Sequence, residues 1–490
     1  MLQAFKARDM DWKSGKVWCY VYDAGEDPSE ITKKAYMSFL SENGLDPSVF
    51  PSILKLETDV VRMVINLLRG DSNAVGHLTS GGTESIMLAV KSARDKARVE
   101  KPHITYPEMI VPRNAHAAFH KAAHYLCVKP VVVDLDPKSL TVRASDMEET
   151  INENTILLVA SAPSYSQGMI DPIKEVGAIA KRHNLLFHVD GCVGGLHLSF
   201  MRKMGYEVPD FDFTVDGVTS ISTDLHKYGY AAKGCSVIMY RDRSIRKYQI
   251  FACTDTTGYT LINPTVLSSK SGGPMAGAWA VLNFLGEEGY KKIIQKVQDA
   301  TKDLMDGINA MDDLYVLGKP AMSMFSFASD SMNVYQLADE MGKRGWYLQG
   351  QFSTSQMPRN LHLSVSQGNA GNTDVLLKDL SECVEIVKSK PPIDSDAIKS
   401  MIAGALQSPD PEAAFNHLAD SAGLSGTALP SEMAFINEVL DNLPDEFCNM
   451  FWSITLMTFM FSWRSLTPDS CSRRNREQKR KAVNLTDTTI

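Results

Sequence analysis

Cysteine is scarce and scattered. The chain of 490 residues has eight (Cys19, Cys127, Cys192, Cys235, Cys253, Cys383, Cys448 and Cys471), and no two form a C-x-x-C pair. That spacing argues against a disulfide framework and fits a reduced, intracellular compartment. A surplus of positive charge is missing too: 50 Lys and Arg against 58 Asp and Glu leave a formal charge of −8. A nucleic-acid-binding chain would carry a basic domain, so no nucleic-acid partner is expected. The opening stretch MLQAFKARDMDWKSGKVW has no apolar run of the signal-peptide kind. There is no G-x-S-x-G elbow, which removes the common serine-hydrolase arrangement. The glycines of TSGGTES match neither G-x-G-x-x-G nor a Walker loop. No internal repeat is apparent.

What is present is an ordinary soluble composition, 44% hydrophobic and 22% charged, on a chain too long for one compact core. Residues 1–46 read as an N-terminal arm, with Ser14 to Tyr22 extended and a helix from Pro28 to Asn43. A large domain over 47–300 opens with helical spacing from Pro47 to Leu68. Short apolar runs then alternate with helical stretches: Met109–Val111, Val131–Leu135, Ile156–Ala160, Leu185–Val189, Val218–Ile221 and Ser236–Tyr240. Runs apolar on both faces predict a mostly parallel sheet covered by helices, with ligands beyond the carboxyl ends of its strands. A long helix after Pro274 leads to a small α/β domain over 301–425. The tail, 426–490, contains the apolar segment 447–463 followed by basic SRRNREQKRK, and Asn484 begins a glycosylation sequon. The apolar segment is at the lower length limit for a membrane span, so membrane contact stays open.

The chemistry centres on Val218 to Met239, VTSISTDLHKYGYAAKGCSVIM. A lysine on a short turn between buried runs is costly, because Lys prefers water. Desolvation that lowers an amine's pKa gives a reason for it, since a free amine can condense with an aldehyde. Asp190 ends an apolar run in HVDGCVGG; an isolated aspartate there more often caps a turn, but it can also pair with a protonated pyridine nitrogen. His188 is expected in the same site. The turn Ser80-Gly81-Gly82-Thr83 begins a helix whose free N–H groups suit an anion, with Ser80 and Thr83 as caps. His116, His120 and His124 share a helical face. No carboxylate or cysteine stands at ligand spacing beside them, so no metal is expected; His120 and His124 read as a surface stripe and His116 as a ring against a flat cofactor. Phosphate, ring face, ring nitrogen and aldehyde are the four parts needed to hold pyridoxal 5′-phosphate (PLP).

TSGGTESI, AHAAFHKAA, GMIDP, HVDGCVGG, FDFTVDGVTSISTDLHKYGYAAKG and INPTVLSSKSGG together resemble the sphingosine-1-phosphate lyase family, near the group II decarboxylases. The resemblance runs from about Ser14 to about Ala403. It implies an α/β fold of the aspartate aminotransferase-like, type I PLP class. It implies Lys227 as the aldehyde-binding lysine, Asp190 at the ring nitrogen and His116 against the ring. Gly81, Gly82, Thr83 and His226 would hold the cofactor phosphate, with Ser269 from a neighbouring subunit of a homodimer. Lys233 and Tyr165 would face the substrate. The implied reaction cleaves a phosphorylated sphingoid base to a long-chain aldehyde and phosphoethanolamine; amino-acid decarboxylation on the same fold is the alternative. The family places such enzymes facing the cytosol on the endoplasmic reticulum membrane, and a chain lacking the anchor would be cytoplasmic. Three departures stand out. Trp18 and Asp46 occupy positions where a tyrosine and a histidine normally meet the substrate phosphate, and Lys270 replaces an arginine. Asp46 should repel a phosphate, and Lys270 lacks an arginine's bidentate geometry.

Overall fold

The computed structural model describes residues 1–255, 258, 260–410, 413–414 and 432–444. Three helices precede the main sheet: α1 (Leu2–Lys6), α2 (Glu26–Ser38) and α3 (Pro51–Leu67). The sheet has seven strands: β1 (Val75–Thr79), β2 (Glu108–Pro112), β3 (Lys129–Val133), β4 (Thr155–Ser161), β5 (Leu186–Asp190), β6 (Ser220–Asp224) and β7 (Ser236–Tyr240). Their order is β1-β7-β6-β5-β4-β2-β3. The five from β3 to β6 are parallel, while β7 runs antiparallel to both β1 and β6. Helices α4 (Gly82–Glu100), α5 (Ala118–Leu126), α6 (Ala144–Glu149), α7 (Ile173–Arg182) and α8 (Gly194–Lys203) fill the crossovers. The strand interiors are buried on both faces, which is why these runs read as continuously apolar.

A short helix, α9 (Arg243–Arg246), and a hairpin of β8 (Phe251–Cys253) and β9 (Leu261–Asn263) lead to α10 (Gly272–Asn309). This helix breaks at Gly286, whose φ of 55° is the left-handed conformation glycine tolerates. It packs along α2, α3, α8 and, farther on, α12, as a spine between the two sheets. The second sheet is antiparallel, ordered β10 (Tyr315–Val316), β11 (Met324–Ala328), β13 (Asn360–Ser364), β12 (Gln349–Gln351). It is covered by α11 (Val334–Lys343) and α12 (Thr373–Lys388), with α13 (Ser395–Leu406) and α14 (Ala434–Asn442) beyond.

The apolar runs read from the sequence do not include β1; it is an antiparallel edge strand, and its alternation is too short to announce itself. After a short 3-10 turn at Trp12–Ser14 the arm runs alongside the small sheet and pairs with it. Trp18 N–H donates to Tyr347 O (3.1 Å) and Ser364 N–H donates to Trp18 O (2.6 Å). Among the described residues no helix is long and apolar enough to cross a membrane. The apolar segment 447–463 and the sequon at Asn484 lie outside the described residues.

Candidate active site

The carboxyl ends of β4, β5 and β6 meet the first turn of α4 around one cavity of about 340 Å³. Ser161, Asp190 and Asp224 are the last residues of the three strands, and all three line it. Lys227 follows Asp224 by one turn, and its Nζ lies 2.9 Å from Asp224 Oδ2. Burial pulls the Lys227 ammonium down, but the Asp224 carboxylate outweighs it and holds the amine well above its ordinary value. The expectation that desolvation alone would free the amine is therefore corrected: Asp224, which the sequence reading passed over, keeps it charged. Asp224 Oδ1 is buried and has no hydrogen-bond partner among the described residues.

Asp190 sits at the end of β5, where Cys192 N–H (3.0 Å) and Ser222 Oγ (3.3 Å) donate to its Oδ1. His188 does not line the cavity, contrary to expectation. It is fully buried behind Asp190, with Nδ1 2.9 Å from Ser220 Oγ and Nε2 3.2 Å from Ser222 Oγ. Desolvation pushes its pKa down to about 4, so it is neutral. Ser222 hands Asp190 the end of a relay that starts at this imidazole.

The N-cap of α4 is Gly81, which has no side chain to cap with. Ser80 and Thr83 do not supply the expected cap. Glu84 reaches back instead, accepting from Ser80 N–H at 2.6 Å. The unpaired first-turn N–H groups open on the cavity through Gly82 and Thr83, as an anion site requires. Gly82 is obligatory here: a Cβ would lie 2.8 Å from both Asp224 carboxylate oxygens and 2.9 Å from Cys192 Sγ. His226 lines the same end, its Nδ1 accepting from Cys235 N–H at 3.1 Å. His116 lines the opposite wall from the loop before α5, its Nδ1 accepting from Ala118 N–H (3.1 Å). His120 and His124 are exposed and away from the cavity. Among the described residues no cluster of potential ligands suits a metal ion.

Tyr165 also lines the cavity; its hydroxyl donates to Gln349 Oε1 (2.7 Å) and its ring lies 4.5 Å from that of His362. Burial raises its pKa far above the ordinary phenol. Lys233 does not line the cavity; from a neighbouring groove it donates to His226 O (2.9 Å), with its ammonium 4.8 Å from the Tyr22 ring centroid. Desolvation and the nearby Lys227 charge lower its pKa to about 8. Trp18 is a correction. Its side chain is fully buried against Trp346 in the core of the small sheet, so it cannot touch a substrate in this arrangement. The arm residue beside Lys233 is Tyr22, edge-on to Tyr228 in the groove next to the cavity. Alternation alone does not announce it: Trp18, Tyr20 and Tyr22 share a parity, but Tyr20 takes a φ of 64°, which breaks the extended run between buried Trp18 and half-buried Tyr22. Asp46 is exposed, its carboxylate accepting from Ser48 N–H (2.8 Å), and it does not line the cavity. Lys270 is buried and paired with Glu57 at 2.7 Å. Ser269 is exposed and lies outside the cavity of its own chain.

The donor set fits PLP. An uncapped helix N-terminus suits a phosphate, Asp190 a protonated ring nitrogen, His116 a ring face and Lys227 an aldehyde, so the site is of the pyridoxal-phosphate lysine class. The pyridoxal-dependent decarboxylase conserved domain matches residues 10–329, and a pyridoxal-dependent enzyme C-terminal putative HTH domain matches 400–448. The sphingosine-1-phosphate lyase of Oryza sativa is 42% identical over 398 residues, 80% of this chain and 72% of that protein. Sphingosine-1-phosphate lyase 1 of Rattus norvegicus is 39% identical, covering 80% and 68%. The solved sphingosine-1-phosphate lyase of Burkholderia pseudomallei superposes with a TM-score of 0.76 at 36% identity, over 83% of this chain and 94% of that one. A Lactobacillus brevis glutamate decarboxylase shares the fold at a TM-score of 0.71 and 18% identity. The chain belongs to the sphingosine-1-phosphate lyase branch of the pyridoxal-dependent decarboxylase family.

Proposed function

We propose that this chain is a PLP-dependent carbon–carbon lyase acting on a phosphorylated long-chain 2-amino-3-hydroxy base such as sphingosine 1-phosphate. The observation that carries it is one cavity holding Lys227, Asp190, His116 and the open α4 N-terminus, in a chain 42% identical to a lyase of that name. The reaction breaks C2–C3, takes the proton of the C3 hydroxyl and returns one to C2, releasing a long-chain aldehyde and phosphoethanolamine. Bound PLP supplies an aldehyde for the amine and a sink for the electron pair of the broken bond.

The chain's own residues do the rest. Gly82 and Thr83 N–H groups and His226 hold the cofactor phosphate, and His116 flanks the ring. Asp190 keeps a proton on the ring nitrogen, and the Ser222 hydroxyl fixes the carboxylate that does so. Lys227 is the amine that would hold the cofactor's aldehyde, and its contact with Asp224 would have to give way for that. Lys233 and Tyr22, in the groove beside the cavity, would receive the substrate phosphate. Tyr165 already donates its proton to Gln349 and is raised in pKa, so it presents oxygen lone pairs to the cavity and is unsuited as the base. Ser269 would serve the partner's cofactor in a homodimer, and light scattering of the purified protein reads that state. A cytosol-facing site near the endoplasmic reticulum membrane suits a lipid substrate.

Purified holoenzyme given sphingosine 1-phosphate should yield aldehyde and phosphoethanolamine. Sphingosine without its phosphate should react at least about tenfold more slowly, the loss of one charge-assisted contact set. Carbon dioxide from amino acids with no aldehyde from the phosphorylated base would move the chain to the decarboxylases. Lys227→Ala should lose the visible absorption of lysine-bound cofactor; a purified variant that stays yellow sinks the assignment.

A further inference from the structure

Between β9 and α10 the chain forms a strap, 264–271, that carries Ser269. Its two ends are tied down. Gln249 Nε2 donates to Pro264 O, and Lys270 pairs with Glu57. Its middle is different: the side chains of Val266 and Leu267 are 59% and 49% exposed, so packing does not hold them. A carboxylate does. Glu84 Oε1 accepts from Val266 N–H at 2.7 Å and from Leu267 N–H at 3.4 Å. Its other oxygen, Oε2, accepts from Ser80 N–H at 2.6 Å. One buried side chain therefore joins the turn that opens on the phosphate end of the cavity to a strap some 180 residues later in the chain.

The cost makes the arrangement informative. Glu84 lines the cavity and puts a negative charge in the first turn of the helix that is to receive an anion. A carboxylate there repels phosphate unless its charge is spent on other donors, and three backbone N–H groups spend it. We propose that Glu84 is a positioning residue: it sets the Ser80–Gly81 turn for the cofactor phosphate and holds the strap in register with it. The proposal rests on the PLP reading of the cavity. Cofactor binding reads it out whether the chain cleaves a carbon–carbon bond or decarboxylates, so failure of the lyase assignment would leave it standing.

The test is a titration of apoprotein with PLP, followed by absorbance, for wild type, Glu84→Ala, Glu84→Gln and Glu84→Met. Losing a charge-assisted set of hydrogen bonds at the turn should weaken binding about tenfold or more in Glu84→Ala. The apoprotein's melting midpoint should move little, because no apolar surface is lost. Glu84→Gln keeps one acceptor oxygen and should recover a large part of the affinity, whereas Glu84→Met, which keeps the volume without an acceptor, should not. Hydrogen exchange on the wild type covers the case in which Glu84→Ala does not fold. Ser80, Val266 and Leu267 amides should be protected, and more so when PLP is added. Unchanged affinity in Glu84→Ala, or strap amides that exchange as a free loop with PLP bound, would overturn the proposal.

Discussion

Lys233 shows how a residue's neighbours set its working range. Its ammonium lies between the Tyr22 ring and the carbonyl of His226, and desolvation with the Lys227 charge brings its pKa to about 8. It is charged below that value and loses its charge above it. KM for a phosphorylated substrate should therefore rise as pH passes 8, with kcat less affected. Lys233→Arg, which stays charged, should flatten that rise; an unmoved profile would remove Lys233 from phosphate binding. Trp18 makes the opposite case. The sequence put it where a substrate-facing aromatic was expected, yet its indole is sealed against Trp346. Trp18→Ala should cost about 3 to 5 kcal/mol of stability, the range for emptying a large aromatic site. A calorimetric scan showing a wild-type midpoint, with only KM altered, would contradict this placement.

At the scale of the element, α4 is the piece on which the cavity depends. Its first turn is pressed against β5 and β6 so closely that only glycine fits at position 82. The nearest atoms belong to Asp224, which Lys227 already pins and which cannot step aside. Gly82→Ala should overpack the contact, with a loss of roughly 1 to 3 kcal/mol and weaker cofactor retention. A cofactor titration and a melting curve on the same sample check both. Much of this element was legible beforehand: the glycine turn, the amphipathic helix and the strand-end aspartate follow from the residues themselves. What was hidden was the partner that fixes the Ser80 N–H just ahead of the helix. Glu84 is a local signal, four residues after Ser80, but its second partner, the 266–267 backbone, is remote in sequence. The Lys227–Asp224 pair is local too, yet nothing in the spacing says whether a nearby carboxylate or desolvation controls the amine. Trp18 and Tyr22 part company because the backbone turns at Tyr20, whose φ is 64°, and the residue types do not mark that break.

For the whole molecule, three buried neutral histidines set an acid limit. Desolvation lowers His188 and His362 to about 4 and His197 to about 3, from the ordinary imidazole value near 6.5. The unfolded chain takes up these protons near pH 6.5 and the folded chain only well below it. Their contribution is complete above about pH 6.5 and declines as pH falls towards 4, by roughly 3 kcal/mol for each by then. Asp171 opposes this: burial raises it to about 6, so its contribution is fullest below 3.8 and is lost as pH rises through 6. Three groups outweigh one, and denaturant midpoints should fall steadily between pH 6.5 and 4. A flat profile would mean that these imidazoles are hydrated. The two-sheet architecture that buries them was readable from strand–helix alternation; the pairing of the arm with the last strands was not, since no local pattern encodes a partner more than 300 residues away.

That pairing also orders events during synthesis. Trp18 hydrogen-bonds to Tyr347 and Ser364, so the arm has no strand to join until the ribosome has made the small sheet. Contacts this distant in sequence close late, because the loop entropy must be met before they form. A nascent chain ending near residue 310 would already contain the strands that carry Asp190 and Asp224 and the turn that carries Lys227, but not the small sheet to which the arm pairs. The interior of the cavity is thus built early and the groove beside it last.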